Sequence, residues 1–420
     1  MVNHKKNKVL LFLKKLGPGL VTGASDDDPS GIATYSQAGA QYGLSTLWTV
    51  WLTIPLMATI QQMCARIGLI TQKGLTGTLK AYYPRSVLWG MLLFSTPAIV
   101  MNIGADIAGM GAVGHLLFPA VDAMYFSVFF TLLLLGLIIY LPYQKMANVL
   151  KYLCIVMLVY LVVPFLVKQD VVAILKASII PTLHWDASFL AILVGILGTT
   201  ISPYLFFWQA SVEVEELKQH KKQLMVNKKL IRAIDKDVDF GMGVSGVVMY
   251  FIILTAGSVL YPAGIHQINT VEEAAQALKP LAGSAAYILF ALGVIGTGLI
   301  AIPVLSGSLS FIAAETFGWE LGLDKKFHEA RSFYMIIALS LLVGLCMNYI
   351  GLSPVKALVY TAILYGLTAP VMIGIILHIA NNPRIMGKFT NTRRDNVLGF
   401  LALGIMTAAA VALLYFELVA

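Results

Sequence analysis

Three consecutive carboxylates and a proline lie inside an apolar stretch near the N-terminus, Thr22 to Gly31, which reads TGASDDDPSG. An aspartate at the centre of a membrane-spanning helix costs about 2.5 to 3.5 kcal/mol on insertion scales. Asp26, Asp27 and Asp28 must therefore face water, polar partners or a cation. Pro29 cannot donate a backbone hydrogen bond, and the glycines on either side of the acids weaken the helix further. The sequence predicts a helix interrupted inside the membrane, where carboxylates and free carbonyls form a cation site.

A second interruption is predicted in the segment GTTISPY, residues 198–204, because Pro203 follows several small polar residues. It would contribute the backbone carbonyl of Thr199 or Thr200 and the hydroxyl of Ser202. A ligand set made only of oxygen favours hard ions such as Mg²⁺, Mn²⁺ or Ca²⁺ over soft ones. Because the protein ligands are few, the ion would keep several waters, as Mg²⁺ readily does.

Among the acids, we expect Asp28 to be the metal ligand because it directly precedes Pro29 and so lies at the break itself. Asp26 and Asp27 belong to the end of the first half-helix. They either lie on the path of the ion, line a water-filled vestibule, or form hydrogen bonds to neighbouring helices. Asp106, in the third apolar span, is either a pathway residue or a structural acid bonded to another span.

The composition is that of a polytopic membrane protein. Of the 420 residues, 58% are hydrophobic and 12% are charged, whereas soluble proteins have about 25% charged residues. Apolar runs of about 20 residues suffice to cross a bilayer. Eleven such spans are predicted, centred near residues 30, 55, 102, 132, 156, 199, 250, 299, 341, 367 and 408.

The net charge of +8 has a membrane explanation and does not indicate a nucleic-acid partner. With the N-terminus in the cytoplasm and alternating spans, the lysines and arginines lie inside apart from four exceptions, as the positive-inside rule requires. The four are Lys168, Lys176, Lys279 and Lys356. We expect a multi-pass protein of the plasma membrane, the inner membrane of a bacterium, with an external C-terminus. Its expected partners are divalent metal ions and lipid, with no obligate protein partner.

Two interrupted spans, five apart and running in opposite directions, predict inverted repeats with the site between them. We place the first repeat at 16–167 and the second at 188–380, within one transport domain that spans 1–420 and ends with an eleventh helix at 397–418. The segment from Glu213 to Asp239 is predicted as the longest internal loop. It is either a solvated amphipathic connector or, through Glu213, Glu215 and Glu216, an acidic mouth that collects cations.

The two motifs resemble those of the NRAMP family of divalent-metal transporters. The resemblance rests on GPGLVTGASDDDPSGIATYSQAGAQYG together with GTTISPY. It implies an all-α polytopic membrane protein with the LeuT-type fold, which has eleven transmembrane helices, two inverted five-helix repeats plus one extra helix, and broken helices 1 and 6. In the family, Asp-Pro-Gly-Asn in the first span and Ala-x-x-Met-Pro-His in the sixth build the metal site.

In the first motif, Asp28 and Pro29 match the Asp and Pro of the family. Ser30 replaces the glycine, and Gly31 replaces the coordinating asparagine. The resemblance therefore keeps the carboxylate ligand, and the pocket gains room for water where the asparagine side chain is missing.

In the second motif, Thr199 stands where the family's alanine donates its carbonyl, and Pro203 is kept. Ser202 replaces the methionine and Tyr204 replaces the histidine. Losing the thioether removes the preference for Mn²⁺ and Fe²⁺ over hard ions. The pattern resembles the NRAMP-related magnesium transporter branch. It implies alternating-access uptake of partly hydrated Mg²⁺ and Mn²⁺, with the metal as substrate, no cofactor and no enzyme activity.

The residues that carry protons in the family are incomplete here. Tyr204 does not titrate near neutral pH, the third-span aspartate position falls near Asn102 or Ile103, and the glutamate position falls on Asp106. Arg331 is the basic candidate on the ninth span. The resemblance thus implies transport driven by the membrane potential.

Three alternatives remain. One is a proton-coupled Mn²⁺ or Fe²⁺ symporter, and another is an amino-acid transporter of the same fold, whose carboxylate substrate the three acids would repel. The third is an intramembrane hydrolase, although the sequence has no HExxH motif.

Overall fold

The computed structural model describes residues 18–141, 159–167, 170–219 and 226–419, and these residues form helices without any strand. The helices of the first half are α1 (Pro18–Asp26), α2 (Pro29–Tyr42), α3 (Trp48–Thr71), α4 (Leu75–Tyr82), α5 (Arg85–Leu117), α6 (Ala123–Tyr140), α7 (Val159–Val162) and α8 (Val171–Ile179). Those of the second half are α9 (Ala187–Thr200), α10 (Pro203–Gln219), α11 (Lys228–Val259), α12 (Val271–Ala275), α13 (Lys279–Ala282), α14 (Ala286–Phe317), α15 (Arg331–Met347), α16 (Pro354–Ala380), α17 (Pro383–Met386) and α18 (Arg393–Val419).

Both predicted interruptions are present. The first span is divided into α1 and α2, and the residues between them are Asp27 and Asp28. The sixth span is divided into α9 and α10, with Ile201 and Ser202 between them. In each case a proline opens the second half, where its missing N–H costs nothing because the first amides of a helix have no intrahelical acceptor.

Within the described residues, seven helices are long and apolar enough to cross a membrane. They are Arg85–Leu117, Ala123–Tyr140, Ala187–Lys218 taken across its break, Lys228–Val259, Ala286–Phe317, Pro354–Ala380 and Arg393–Leu418. The other predicted spans correspond to α1 with α2, to α3 and to the shorter apolar helix α15. Most of the predicted fifth span lies outside the described residues, which contain only its end from 159 to 167.

The prediction of a loop from Glu213 to Asp239 was wrong for the part of it that the structure describes. Helix α10 continues to Gln219 and α11 already begins at Lys228. The carboxylates near the start of this segment have donors inside the protein: Glu213 accepts a hydrogen bond from Gln209 Nε2 (2.8 Å), and Glu215 accepts one from the Leu323 amide (3.2 Å). Because these acids are satisfied without bulk water, the helix does not need to end before them.

Packing brings the two breaks to the centre of the bundle. Helix α11 lies along both α1 and α2, while α9 packs on α16. Helix α5 packs against α14 and α16, and it completes the wall beside the first break. The last helix, α18, exposes many apolar side chains, as expected for a peripheral span, and the ion pair of Arg66 with Asp395 (3.0 Å) ties its first turn to α3.

Glycines set the distance between α9 and α16. A Cβ on Gly366 would lie 2.3 Å from the Val194 carbonyl oxygen, and one on Gly198 would lie 2.2 Å from the Ala362 carbonyl oxygen. Such approaches are closer than a methyl group allows, so the two backbones pack directly, as small residues permit in membrane helices. The second break is therefore held by backbone contact with α16.

We expect Gly366→Ala to lower the melting temperature of the purified protein, because overpacking of this kind costs about 1 to 3 kcal/mol. Gly374 lies on the same helix with open space around its Cβ position, so Gly374→Ala is the matched control and should melt like the wild type. Equal melting of the two variants would contradict direct backbone packing of α9 on α16.

Candidate metal-ion site

Asp28 caps the N-terminus of α2. Its backbone is extended (φ −68°, ψ 173°), and its Oδ1 accepts hydrogen bonds from the Gly31 amide (2.7 Å) and the Ser30 hydroxyl (2.6 Å). Aspartate is a favoured N-cap residue and proline a favoured first residue of a helix. The local sequence Asp-Pro-Ser-Gly therefore determines this turn and points the carboxylate into the break.

The other oxygen of Asp28 is bound by a neighbouring span. Asn102 on α5 donates its Nδ2 to Asp28 Oδ2 at 2.7 Å, and both side chains are buried. An ionised carboxylate offers about four acceptor positions, and the amide, the hydroxyl and the asparagine occupy three of them. The remaining acceptor position suits a single bond from one carboxylate oxygen to a cation.

The two breaks face each other at this point. The Ser30 hydroxyl lies 3.5 Å from the Thr199 hydroxyl, and a Cβ on Gly31 would lie 3.4 Å from that same Thr199 oxygen and from the Asp26 carbonyl. The fold thus brings together Asp28, Ser30, Gly31 and Thr199 as the sequence predicted. A side chain at residue 31 would therefore contact groups of both breaks.

The oxygens predicted from the sixth span are bonded within their own break. The Ser202 hydroxyl donates to the Thr199 carbonyl at 2.5 Å, so two expected ligands bind each other. The Thr200 hydroxyl donates to the Ile196 carbonyl (2.6 Å) and lies 3.2 Å from the Tyr35 hydroxyl. A cation that used the Ser202 or Thr199 oxygen would have to displace the hydrogen bond between these two groups.

Tyr204, which stands in place of the family's histidine, joins the two broken spans. Its hydroxyl donates to the Ser25 carbonyl at the end of α1 (2.6 Å), and its own carbonyl accepts from Ser308 on α14 (3.0 Å). The hydroxyl of Tyr204 thereby satisfies one of the carbonyls that a helix leaves free at its C-terminal end. This tyrosine therefore fixes the position of α1 relative to α10.

Asp26 and Asp27 bond to a neighbouring helix. The Ser245 hydroxyl on α11 lies 2.8 Å from Asp26 Oδ2 and 3.3 Å from Asp27 Oδ1, and both acids are buried. The second oxygen of Asp26 has no hydrogen-bond partner among the described residues. The structure thus realises the predicted hydrogen bonds to another helix, and one buried oxygen stays free.

Asp106 lies on α5 beside Asp28 and the Ser30 backbone, completely buried. Within the described part of the chain, neither of its oxygens forms a hydrogen bond of ordinary geometry. The Tyr365 hydroxyl on α16 forms none either, although it lies near the Asn102 side chain. Asp106 thus adjoins the first break from α5, whereas the ring of Tyr365 packs on Tyr204 at the second break (ring centroids 5.8 Å apart).

Four buried carboxylates therefore surround the first break: Asp26, Asp27, Asp28 and Asp106. Across the described ranges, no lysine, arginine or histidine forms an ion pair with any of them. An ionised carboxylate that is buried without a positive partner is strongly unfavourable. The site therefore has the charge and the burial to favour a bound cation.

Residues on three further spans belong to this site, and the sequence did not assign them to it. They are Asn102, which bonds to Asp28, together with Thr361, Tyr365 and Ser245. One signal was present: Asn102 with Asp106, and Thr361 with Tyr365, are polar pairs four residues apart in apolar helices, a spacing that puts both members on one helix face. Ser245 has no such partner and carries no comparable signal.

The chain matches the Nramp family, described as natural resistance-associated macrophage protein-like, over residues 19–416. The chain belongs to the Nramp family. Two Nramp relatives are named divalent metal cation transporter MntH. The one from Klebsiella pneumoniae strain 342 is 28% identical over 412 residues, which cover 96% of this chain and 93% of the relative. The one from Yersinia pestis strain Pestoides F is 26% identical and covers 96% of this chain and 95% of the relative.

Solved structures show the same fold. The manganese transporter of Eremococcus coleocola, crystallised with an aromatic bis-isothiourea compound, superposes with a TM-score of 0.76 at 18% identity, over 96% of this chain and 86% of that one. Mhp1, a nucleobase-cation-symport-1 family transporter, gives 0.53 at 12% identity, over 96% and 92% of the two chains. The predicted Nramp family membership and the all-α LeuT-type membrane fold with broken first and sixth helices are confirmed.

We expect Tyr204→Phe to lower the melting temperature of the metal-free protein, because one buried hydrogen bond is worth about 1 kcal/mol. The ring of Tyr365 lies 5.8 Å from that of Tyr204, and its hydroxyl has no partner among the described residues. Tyr365→Phe is thus the matched control and should not lower it. A Tyr204→Phe protein as stable as the control would contradict the role of this hydroxyl in fixing α1.

Proposed function

We propose that this protein transports divalent metal cations across a membrane, with Mg²⁺ and Mn²⁺ as its substrates. The observation that carries the proposal is the carboxylate of Asp28, which is buried between two helix breaks and keeps about one acceptor position open for a cation. The names of its relatives as divalent metal cation transporters support the substrate class. They also favour a transporter over an intramembrane hydrolase.

The proposed metal site consists of Asp28, Gly31, Thr199 and Ser202, and Gly31 contributes no side-chain ligand. Asp26, Asp27, Ser30, Thr200, Tyr204 and Asp106 line the site and its path. The local chemistry supports a hard ion, because every polar atom around Asp28 belongs to a hydroxyl, an amide, a carbonyl or a carboxylate. No thioether or imidazole stands at either motif position.

Partial hydration of the ion follows from the number of protein ligands. Asp28 has about one acceptor position left, and Gly31 offers no side chain. Water would complete the coordination, and Mg²⁺ keeps its waters more readily than other divalent ions do. This supports a preference for Mg²⁺ that a site with asparagine and methionine would not have.

Transport without proton coupling is supported by the positions of the basic groups. Arg331 is exposed at the start of α15, and the histidines within the described residues are exposed or half-buried. Tyr204 is engaged with the Ser25 carbonyl. A divalent ion gains about 4.6 kcal/mol per 100 mV of inside-negative potential, twice the value for a single charge, so inward accumulation does not require a second ion.

The four buried carboxylates also weigh against an amino-acid substrate, since a substrate carboxylate would be repelled by them. We further propose alternating access between two inverted repeats at 16–167 and 188–380, with a cytoplasmic N-terminus and an external C-terminus in the inner membrane of a bacterium. The charge distribution in the sequence supports this orientation.

Asp28→Asn should reduce Mg²⁺ uptake into proteoliposomes to the level of protein-free vesicles, because the amide carries no charge for the ion. Its remaining oxygen still caps α2, so the variant should fold. Asp122 is an exposed N-cap residue of α6, and Asp122→Asn is the matched control, which should transport normally. Uptake by Asp28→Asn at the wild-type rate would remove the central assignment.

The combined substitution of Ser202→Met and Gly31→Asn should shift competition uptake toward Mn²⁺ over Mg²⁺. It introduces a thioether, which favours the softer ion, and an amide oxygen that would replace a water ligand. A Cβ at position 31 would lie 3.3 Å from the Tyr35 ring and 3.4 Å from the Thr199 hydroxyl oxygen, so the added amide would lie beside the second break once the Tyr35 ring has shifted. Unchanged competition would show that other residues set the selectivity.

Uptake of Mn²⁺ measured together with the fluorescence of an enclosed pH-sensitive dye separates the proposal from a proton-coupled symporter. We expect Mn²⁺ to enter without acidification of the vesicle lumen, and more Mn²⁺ to enter when the interior is made negative. Acidification in proportion to Mn²⁺ entry would establish the symporter.

A further inference from the structure

A chain of hydrogen bonds connects α16 to the first break. The Thr361 hydroxyl shares its one proton between Asn102 Oδ1 (2.9 Å) and the Leu358 carbonyl of its own helix (2.8 Å), and Asn102 Nδ2 donates to Asp28 Oδ2 at 2.7 Å. All three side chains are buried and belong to different elements: α16, α5 and the turn before α2. The hydrogen bonds therefore connect α16 with the turn before α2 through the side chain of one asparagine.

The chemistry of the three groups determines which of them donates and which accepts in each hydrogen bond. An ionised carboxylate only accepts hydrogen bonds, so Asn102 must present its NH₂ group to Asp28. Its amide oxygen then points to α16, where it would be a buried acceptor without a donor if Thr361 lacked its hydroxyl. The Tyr365 hydroxyl, one turn further along α16, also lies near the Asn102 side chain, but it forms no hydrogen bond of ordinary geometry there. The donor that holds the amide oxygen is Thr361.

We propose that Thr361 is a positioning residue for the metal-ion site, acting through Asn102. Its hydroxyl holds the amide so that the nitrogen, and not the oxygen, faces Asp28. Asp28 Oδ2 is thereby fixed in place with one acceptor position open, and the amide oxygen of Asn102 is kept away from the ion. The inference rests on the proposed function, since it concerns binding of the divalent cation at Asp28.

Thr361→Val keeps the shape of the side chain and removes the hydroxyl. We expect the Kd for Mg²⁺, measured by calorimetry on the purified full-length protein, to rise about threefold to tenfold, the equivalent of one ordinary hydrogen bond. The KM for Mg²⁺ uptake into proteoliposomes should rise by a similar factor with little change in maximal rate. Thr361→Ser restores the donor and should return both constants to within about twofold of wild type.

Thr368 provides the matched control. It lies on the same helix, is buried, and donates its hydroxyl only to carbonyls of its own helix, Leu364 (3.0 Å) and Tyr365 (3.2 Å). Thr368→Val should leave the Kd and the KM for Mg²⁺ unchanged. The melting temperature of each variant without metal shows whether the fold is intact, and Thr361→Ala takes the place of Thr361→Val if the latter does not fold.

The outcomes distinguish a failure of the positioning role of Thr361 from a failure of the proposed function. Wild-type protein that neither binds nor transports Mg²⁺ or Mn²⁺ would overturn the proposed function. If the wild type binds and Thr361→Val binds equally well, the positioning role is overturned while the function stands. Equal weakening by Thr361→Val and Thr368→Val, or failure of Thr361→Ser to restore binding, would also overturn it.

Discussion

Burial of negative charge without a positive partner is the constraint on which the rest of this structure depends. Asp26, Asp27, Asp28 and Asp106 lie inside the helical bundle, and among the described residues no basic side chain pairs with them. Such charges persist only where hydrogen-bond donors and a cation lower their free energy. The serine, asparagine and backbone donors around the first break supply part of this, and a proton on a carboxyl group or a bound cation can supply the rest.

The broken helices follow from the same constraint. A continuous helix uses its amides and carbonyls internally, whereas the breaks free the amides of α2 for Asp28, the Ser25 carbonyl of α1 for Tyr204 and the Thr199 carbonyl of α9 for Ser202. The glycines between α9 and α16 then allow the backbones to touch, which holds the second break opposite the first. Backbone geometry, side-chain capping and packing therefore act together at one point.

Membership in the Nramp family and the fold shared with the manganese transporter place this chain among membrane proteins with broken helices. What distinguishes it is the chemistry at the motif positions. Serine stands in place of a thioether, glycine in place of an amide, and a tyrosine bonded to the Ser25 carbonyl in place of an imidazole. The motif positions thus carry no soft side-chain ligand.

The sequence by itself determined the membrane class and the two breaks, with Asp28 at the first of them, because apolar length and proline are local properties of the chain. It did not determine that Asn102 and Thr361 hold Asp28, or that Ser245 bonds to the neighbouring acids. It also misplaced the end of α10, where Glu213 and Glu215 find donors far from their own turn. Only the tertiary structure decided these contacts, because they depend on which helices become neighbours, and the polarity of one residue does not specify its partner in another helix.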